Sequence, residues 1–186
     1  WAVGNDGVLL HLPSAAARWR TVIAPAAGGP DLVGVAAAAD GAVWAVGTEQ
    51  NGTSGVVVQL DAARAAWSPR AELPGRPVLA VAALPGTAWA VGRGVACDCP
   101  AGERCTCDLD PPFARRGRET VSLALDSIAA AAAPAGPVVW AAGEYYVVRR
   151  EPGGWSHTSG SRRLAGVPEG ARIVDLAMGA PDDVWA

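Results

Sequence analysis

Apolar residues occur in short runs along this chain, and Gly, Pro, Asn or Asp interrupts them roughly every 8 to 12 residues. Residues 18–23 alternate polar and apolar side chains with the two-residue period of a β-strand. The alanine run at 129–133 favours a helix when it is taken alone. The interruptions leave no window of helical length, so the pattern predicts short strands, with helical units as the alternative.

One motif recurs through the apolar pattern. Trp-Ala-Val-Gly stands at residues 1–4, 44–47 and 89–92, Trp-Ala-Ala-Gly at 140–143, and Trp-Ala at 185–186. The five tryptophans are 43, 45, 51 and 45 residues apart. A period of this size is typical of stacked supersecondary units that bury their apolar faces against one another. Because residues 1–186 begin and end inside the motif, we expect an internal fragment of a longer protein.

Each period contains about four short strands. An Ala/Val run (strand A) precedes the motif (strand B), and a Val/Leu run (strand C) and a strand that usually holds a second Trp (strand D) follow it. Four strands in about 45 residues match one blade of a β-propeller. The small side chains of strand A suit the crowded centre of such an array. The sequence therefore predicts an all-β fold of about four antiparallel blades, with units starting near residues 1, 44, 89 and 140.

The motif tryptophans occupy equivalent positions in the units. They are Trp1, Trp44, Trp89, Trp140 and Trp185. Equivalence is what core packing demands, so we expect these rings to be buried between neighbouring blades, where the Ala and Gly that follow allow close approach. A row of aromatic rings that binds sugars is the alternative. The strand-D tryptophans, Trp19, Trp67 and Trp155, follow at variable distances and are expected near the outer rim.

All four cysteines lie within 11 residues of the third unit, in what reads as an inserted hairpin at 95–112. Cys97, Cys99, Cys105 and Cys107 are placed symmetrically about Gly102. In a hairpin, Cys97 would face Cys107 and Cys99 would face Cys105, side by side on one face. Opposed Cα atoms are then about 4.5 to 5.5 Å apart, which a disulfide can span. Disulfides persist outside the cytosol, so an extracellular, periplasmic or cell-surface location is expected.

The cysteines have two alternative interpretations besides the disulfides. Four thiolates could bind zinc, although structural zinc sites usually use Cys-x-x-Cys pairs rather than the Cys-x-Cys pairs found here. Reduced or mispaired thiols are the third possibility. Asp108 and Asp110 supply too few oxygens for a calcium site and are more simply solvated carboxylates. No metal or cofactor is assigned, with zinc at the cysteines as the weak alternative.

The composition of the chain limits the classes of partner that are expected. The chain is 51% hydrophobic, but no apolar run approaches the roughly 20 residues that cross a bilayer. A net charge of −3 lacks the basic footprint of a nucleic-acid binder. All 15 basic residues are Arg, which together with abundant Ala, Gly and Pro indicates a GC-rich bacterial source. We expect neither a membrane span nor nucleic acid as a partner.

No reacting group recurs with the motif, so no catalytic residue is assigned. The two histidines, His11 and His157, lie in different strands of their units and do not occupy equivalent positions. A nucleophile and its base need a third orienting group that spacing alone cannot place. Catalysis is therefore less expected than binding.

Residues 183–186, Asp-Val-Trp-Ala, and the sequence Val-Trp-Ala-Val-Gly followed by a Gly-bearing turn, a Val/Leu strand and a later Trp resemble bacterial β-propeller repeats. Such repeats occur in secreted or surface proteins of the broad sialidase-like and kelch-like type. The resemblance covers essentially the whole chain and implies six to eight blades in the complete protein. It also implies a binding or scaffolding role more often than catalysis.

Three functions follow from this resemblance. The first is a non-catalytic interaction module that binds a protein, peptide or glycan through the blade loops, with the cysteine hairpin as a protruding contact element. The second is a secreted carbohydrate-active hydrolase or lyase with its active site in the central channel. The third is a structural scaffold for other domains.

Overall fold

The computed structural model describes residues 1–15, 17–109, 115–116, 119–120, 124–143, 146–151, 154–157, 173–181 and 183–185. These residues are all-β and form several small antiparallel sheets. The prediction of strands is confirmed, and the helical alternative is wrong for the described part, where only the 3-10 turn Asn5–Gly7 is helical. Within the same ranges, no helix has the length and apolar character needed to cross a bilayer.

The first three sheets follow one another along the chain. The first contains β1 (Ala2–Val3), β2 (Leu9–His11) and β3 (Arg20–Ile23) in that order. The second contains β4 (Asp31–Ala37), β5 (Val43–Thr48), β6 (Gly55–Asp61) and β7 (Ala66–Leu73). The third contains β8 (Val78–Leu84), β9 (Thr87–Gly92), β10 (Val95–Pro100) and β11 (Thr106–Leu109).

The remaining strands form one larger and two smaller sheets. A two-stranded sheet pairs β12 (Arg115–Arg116) with β13 (Glu119–Thr120). The fourth large sheet contains β14 (Leu125–Ala131), β15 (Val138–Gly143), β16 (Tyr146–Glu151) and β17 (Gly154–His157). The last pair is β18 (Ala177–Ala180) with β19 (Asp183–Trp185). In the second, third and fourth sheets the motif is the second strand of four, as the sequence predicts.

The motif glycine allows the first strand of each sheet to approach the second. A Cβ on Gly47 would overlap the carbonyl oxygen of Asp31 and would lie 2.8 Å from the Cα of Leu32. A Cβ on Gly92 would meet Pro77 and Val78 in the same way. Any side chain at these positions would therefore push the two strands apart.

A β-bulge recurs next to the motif glycine in the second, third and fourth sheets. The register of the first strand shifts between Leu32 and Gly34 in β4, between Val78 and Ala80 in β8, and between Leu125 and Ser127 in β14. The extra residues are Val33, Leu79 and Asp126. Each of them has no partner on the second strand, so the bulge turns it out of the ladder.

Each sheet buries one face against the next sheet along the chain. Trp44 of β5 packs in one apolar cluster with Val78 of β8 and Val95 of β10. Trp89 of β9 packs in a second cluster with Leu125 and Val139 of the fourth sheet. A smaller cluster joins the first and second sheets. It contains Val3, Leu32, Ala45, Val56, Val58 and Trp67.

The first strands also approach one another directly. A Cβ on Gly34 of β4 would lie 3.4 Å from the carbonyl oxygen of Leu79 and 3.7 Å from the Cα of Ala80, both in β8. The same strand β8 contacts β14 of the fourth sheet. Small residues on these strands are therefore required by backbone proximity, as the alanine-rich runs suggest.

Burial separates the motif tryptophans into two groups. Trp44 and Trp89 are 0% and 4% exposed, and Trp140 is half-buried against an apolar cluster that contains Leu176. The expected burial is wrong for Trp1 and Trp185, which are 37% and 67% exposed.

Both exceptions have a local cause. Trp1 precedes the two-residue strand β1, and its ring stacks on His11 with centroids 4.0 Å apart. Trp185 belongs to a two-stranded sheet, and no further described strand covers it. Among the strand-D tryptophans, Trp19 is 52% exposed, as a rim position predicts. Trp155 is only 5% exposed and belongs to the core between the third and fourth sheets, so the rim prediction is wrong there.

A polar residue stands opposite the motif Trp on the third strand of each four-stranded sheet. Register pairs Trp44 with Gln59, Trp89 with Asp98, and Trp140 with Arg149. Directly opposed residues point to the same face, so each polar side chain accompanies its Trp towards the next sheet.

These polar residues make different contacts. Asp98 accepts hydrogen bonds of 2.9 and 3.0 Å from Nε of Arg150 in the fourth sheet. The Oε1 of Gln59 accepts the N–H of Gly102 in the third sheet at 3.1 Å. The guanidinium of Arg149 lies 5.5 Å from the centroid of the Trp140 ring. The first two contacts fasten one sheet to the next beside the buried indole.

We expect Gly92→Ala to lower the free energy of unfolding by about 3 kcal/mol, at the top of the overpacking range, because the new Cβ overlaps backbone. Gly52→Ala is the matched comparison. Its φ of +68° strains any side chain, but open space surrounds the position, so about 1 kcal/mol is expected. Urea unfolding of both variants measures the difference, and equal losses would contradict the close approach.

Candidate functional site

The four cysteines form two disulfides. Cys97 is bonded to Cys107 and Cys99 to Cys105, with Cα atoms 4.0 and 4.1 Å apart. These are the pairs that the symmetry about Gly102 predicts. A four-thiolate zinc site would need four free thiolates, whereas all four sulfurs are used here. Over the described ranges, no three His, Cys, Asp or Glu side chains are grouped so that they could hold a metal ion.

The cysteine hairpin does not protrude, which corrects the expected contact element. Strand β10 pairs with β9 along its whole length, from Val95 opposite Gly92 to Pro100 opposite Thr87. Strands β10 and β11 are therefore the third and fourth strands of the third sheet. The excess length of this unit lies instead between β11 and β14, after residue 109 rather than over 95–112.

The two-residue strand period explains why the disulfides are buried. Cys97 and Cys99 lie on the same face of β10 as Val95, and that face packs on Trp44 of the second sheet. Both are 0% exposed, and their partners Cys105 and Cys107 are half-buried beside them. Disulfide sulfur is apolar enough to belong to this core. The disulfides therefore contribute to the interface between two sheets.

The tip of the hairpin is fastened to the second sheet. Gly102, at the turn, donates its N–H to Gln59 of β6 and accepts a 3.1 Å hydrogen bond from Nη1 of Arg70 in β7. The Nε of Arg70 also donates to Oε1 of Gln59 at 2.9 Å. The backbone N–H of Cys105 donates to the carbonyl of Arg70 at 3.0 Å. With Asp98 bound to the fourth sheet, the hairpin is held from both sides.

Asp40 joins the turns of the second and third sheets. Its Oδ1 accepts the N–H of Ala42 at 3.0 Å within the β4–β5 turn. Its Oδ2 accepts the N–H of Gly86, in the β8–β9 turn, at 2.8 Å. The hydrogen bonds from Ala42 and Gly86 lower the pKa of Asp40 below its usual 3.8 because they favour the carboxylate.

A groove of about 470 Å³ lies on the second sheet, on the side that faces the first. Its lining is mostly apolar and includes Trp67, Pro69 and the buried Val56 and Val58. Ala71 also borders the groove, but its side chain packs in the cluster shared with the third sheet. The strand period places Val56 and Val58 here, because Val57 and Gln59 point towards the third sheet. Nε1 of Trp67 donates to the carbonyl of Gly7 at 2.7 Å, so the indole is fixed between the two sheets.

The rim of the groove is polar and carries negative charge. It contains Glu49, Gln50, Asn51 and Glu72. Oδ1 of Asn51 accepts the N–H groups of Thr53 at 2.9 Å and Ser54 at 3.1 Å, which shapes the β5–β6 turn. Nε2 of Gln50 donates to Asp6 of the first sheet at 3.2 Å. The rim therefore stands on a turn that is held by its own hydrogen bonds.

A second depression of about 600 Å³ lies on the other side of the same turn. Its lining includes Thr53, Arg76 and Arg93. Nη1 of Arg76 donates to the carbonyl of Gly94 at 2.7 Å, so this guanidinium takes part in the fold. The two depressions therefore differ in charge, acidic beside Glu49 and basic beside Arg93.

The other candidate residues are not brought together. His11 lies in the first sheet against Trp1, whereas His157 belongs to β17 in the fourth sheet. Asp108 is exposed in β11, and Asp110 lies outside the described residues. The sequence does not reveal the groove, because its lining comes from a loop, a turn and two strands. Its only signal there is Trp67, whose variable spacing from the motif predicts a position near the outer rim of the sheets.

Compared with protein-family models and with curated proteins, the chain shows no match to either. The function is therefore inferred from the geometry of the sheets, the disulfides and the grooves.

We expect no free thiols in the unfolded protein without reductant and four after reduction, because every cysteine is paired. Replacing Cys97 and Cys107 together by Ala should cost about 2 to 4 kcal/mol of unfolding free energy. Thiol titration and urea unfolding measure the two quantities. The pair Cys99→Ala with Cys105→Ala tests whether the second bridge contributes separately, and four titratable thiols in unreduced protein would contradict the pairing.

Asp40→Asn should lower the melting temperature at neutral pH and should matter less in acid. Since the folded pKa lies below 3.8, the stabilisation is complete above that value and disappears as pH falls through the folded pKa. Melting curves between pH 7 and pH 2.5 should therefore converge for the variant and the parent at the acid end. Asp108→Asn, on exposed β11, controls for the loss of one negative charge. A constant difference across this range would contradict the role of the carboxylate.

Proposed function

We propose that the chain forms part of a β-propeller in which the second, third and fourth sheets are consecutive blades. The observation that carries this proposal is the repeated packing of four-stranded sheets in chain order. In the second and third sheets the second strand carries the motif Trp towards the following sheet. The first strands, β4, β8 and β14, lie next to one another, as strands around a propeller axis do.

The propeller is proposed to be a non-catalytic interaction module of a secreted or surface bacterial protein. Two disulfides support an oxidising compartment outside the cytoplasm. A rigid frame of packed sheets with variable turns suits recognition of a protein, peptide or glycan, because loops can change while the frame repeats. The acidic and basic depressions beside the β5–β6 turn are the kind of loop-lined surface that this function requires.

The alternatives have less support. A secreted carbohydrate-active enzyme would use a pair of carboxyl groups that flank the scissile bond, whereas the carboxylate of Asp40 is engaged by the backbone N–H groups of two turns. A scaffold role for the blades would leave the grooves without a ligand. The interaction module accounts for the frame and the depressions together.

The full-length gene product tests the proposal directly. On peptide and glycan arrays it should bind members of one class and leave their masses unchanged. Release of products from a glycan panel would overturn the assignment in favour of the enzyme. Binding to neither class would favour a scaffold. A crystal structure of the same protein should show the sheets fanned about one axis, and sheets lying in a common plane would contradict the propeller.

A further inference from the structure

We infer that the groove beside Trp67 binds an extended peptide that carries an arginine or lysine among apolar residues. The inference rests on the proposed interaction function and names the ligand class of one surface. The groove volume of about 470 Å³ falls within the range of roughly 300 to 1,000 Å³ that is usual for ligand pockets.

The groove has the length of a short peptide. Its lining follows β7 from Trp67 to Glu72. At about 3.4 Å per residue, this stretch is roughly 17 Å long, which matches about five residues of an extended chain. The floor between these ends offers the exposed Pro69 from β7, which lies beside the buried Val56 and Val58 of β6. Such a surface accepts apolar side chains and excludes water from their neighbours.

The charge of the rim favours a positively charged ligand. Among the residues that the structure describes, Glu49 and Glu72 are the two ionisable ones that line the groove, and none that lines it is basic. A carboxylate beside an apolar floor attracts a cation more strongly than one in open water, because the effective dielectric constant is lower. The aliphatic stem of arginine or lysine can cover apolar surface while its charged end reaches the rim.

Trp67 favours a cationic peptide over a sugar. Its Nε1 already donates to Gly7, so that donor is not available to a sugar hydroxyl. The π-face of an indole attracts a guanidinium or ammonium group. The remainder of the floor is aliphatic and offers no side-chain hydrogen-bond partners to hydroxyls. Apolar and cationic groups in one extended segment satisfy the floor and the rim together.

Calorimetric titration of the full-length protein with synthetic hexapeptides tests the inference. The peptides share Val and Pro around a central Arg, Lys, Gln or Glu. We expect the Arg and Lys peptides to bind about two to five times more tightly than the Gln peptide, as one partly exposed ion pair allows. The preference should shrink in 0.5 M salt, because screening weakens exposed charge pairs.

The double variant Glu49→Gln with Glu72→Gln should lose this preference while its melting temperature stays close to that of the parent, since Gln preserves the shape of Glu. Asp108→Asn, which removes a negative charge from β11, should keep the preference. Persistence of the preference in the double variant would overturn the inference. So would binding of a neutral oligosaccharide that the hexapeptides cannot displace.

Failure of the inference is distinguishable from failure of the proposed function. If arrays show ligand binding but no hexapeptide binds and the double variant changes nothing, the ligand class assigned to this groove is wrong and the module stands. If arrays show no ligand at all, both are wrong.

Discussion

The structure depends on the burial of one sheet face against the next sheet. A small four-stranded antiparallel sheet has two faces and cannot bury either of them by itself. Trp44 and Trp89 resolve this constraint, because each extends from the second strand of its sheet into an apolar cluster shared with the following sheet. The glycine three residues later keeps the first strand close enough for the cluster to remain dense. The motif Trp and Gly together therefore allow each of these sheets to bury one face against the next.

The interfaces between sheets share a buried indole, but they differ in the polar residue that lies opposite that indole. Gln59 receives the hairpin turn at Gly102, whereas Asp98 receives Arg150. A partly buried polar group that loses its partner costs more than an apolar contact of the same size, so such pairs discourage the wrong neighbour. The indole supplies most of the burial, and the polar partner helps to specify which sheet belongs next to which.

Local patterns predicted the strand order and the disulfide partners well, because both follow from a two-residue period and from spacing along the chain. Which face of each sheet is covered by a neighbouring sheet was less predictable from the sequence. The burial of Cys97 and Cys99, the core position of Trp155 and the exposure of Trp1 depend on which sheet covers which face. The groove combines residues 28 to 72, so no single stretch of sequence displays it.

The bulges on the first strands create a position at which the side chain can vary. Val33, Leu79 and Asp126 occupy the same extra position in three sheets, where two side chains are aliphatic and one is a carboxylate. A residue outside the ladder makes no cross-strand pair, so its replacement leaves the pairing intact. Val33 is 62% exposed, and Asp126 is exposed as well. Substitution of Val33 or Asp126 can therefore change the surface chemistry of a sheet without disturbing the register of its strands.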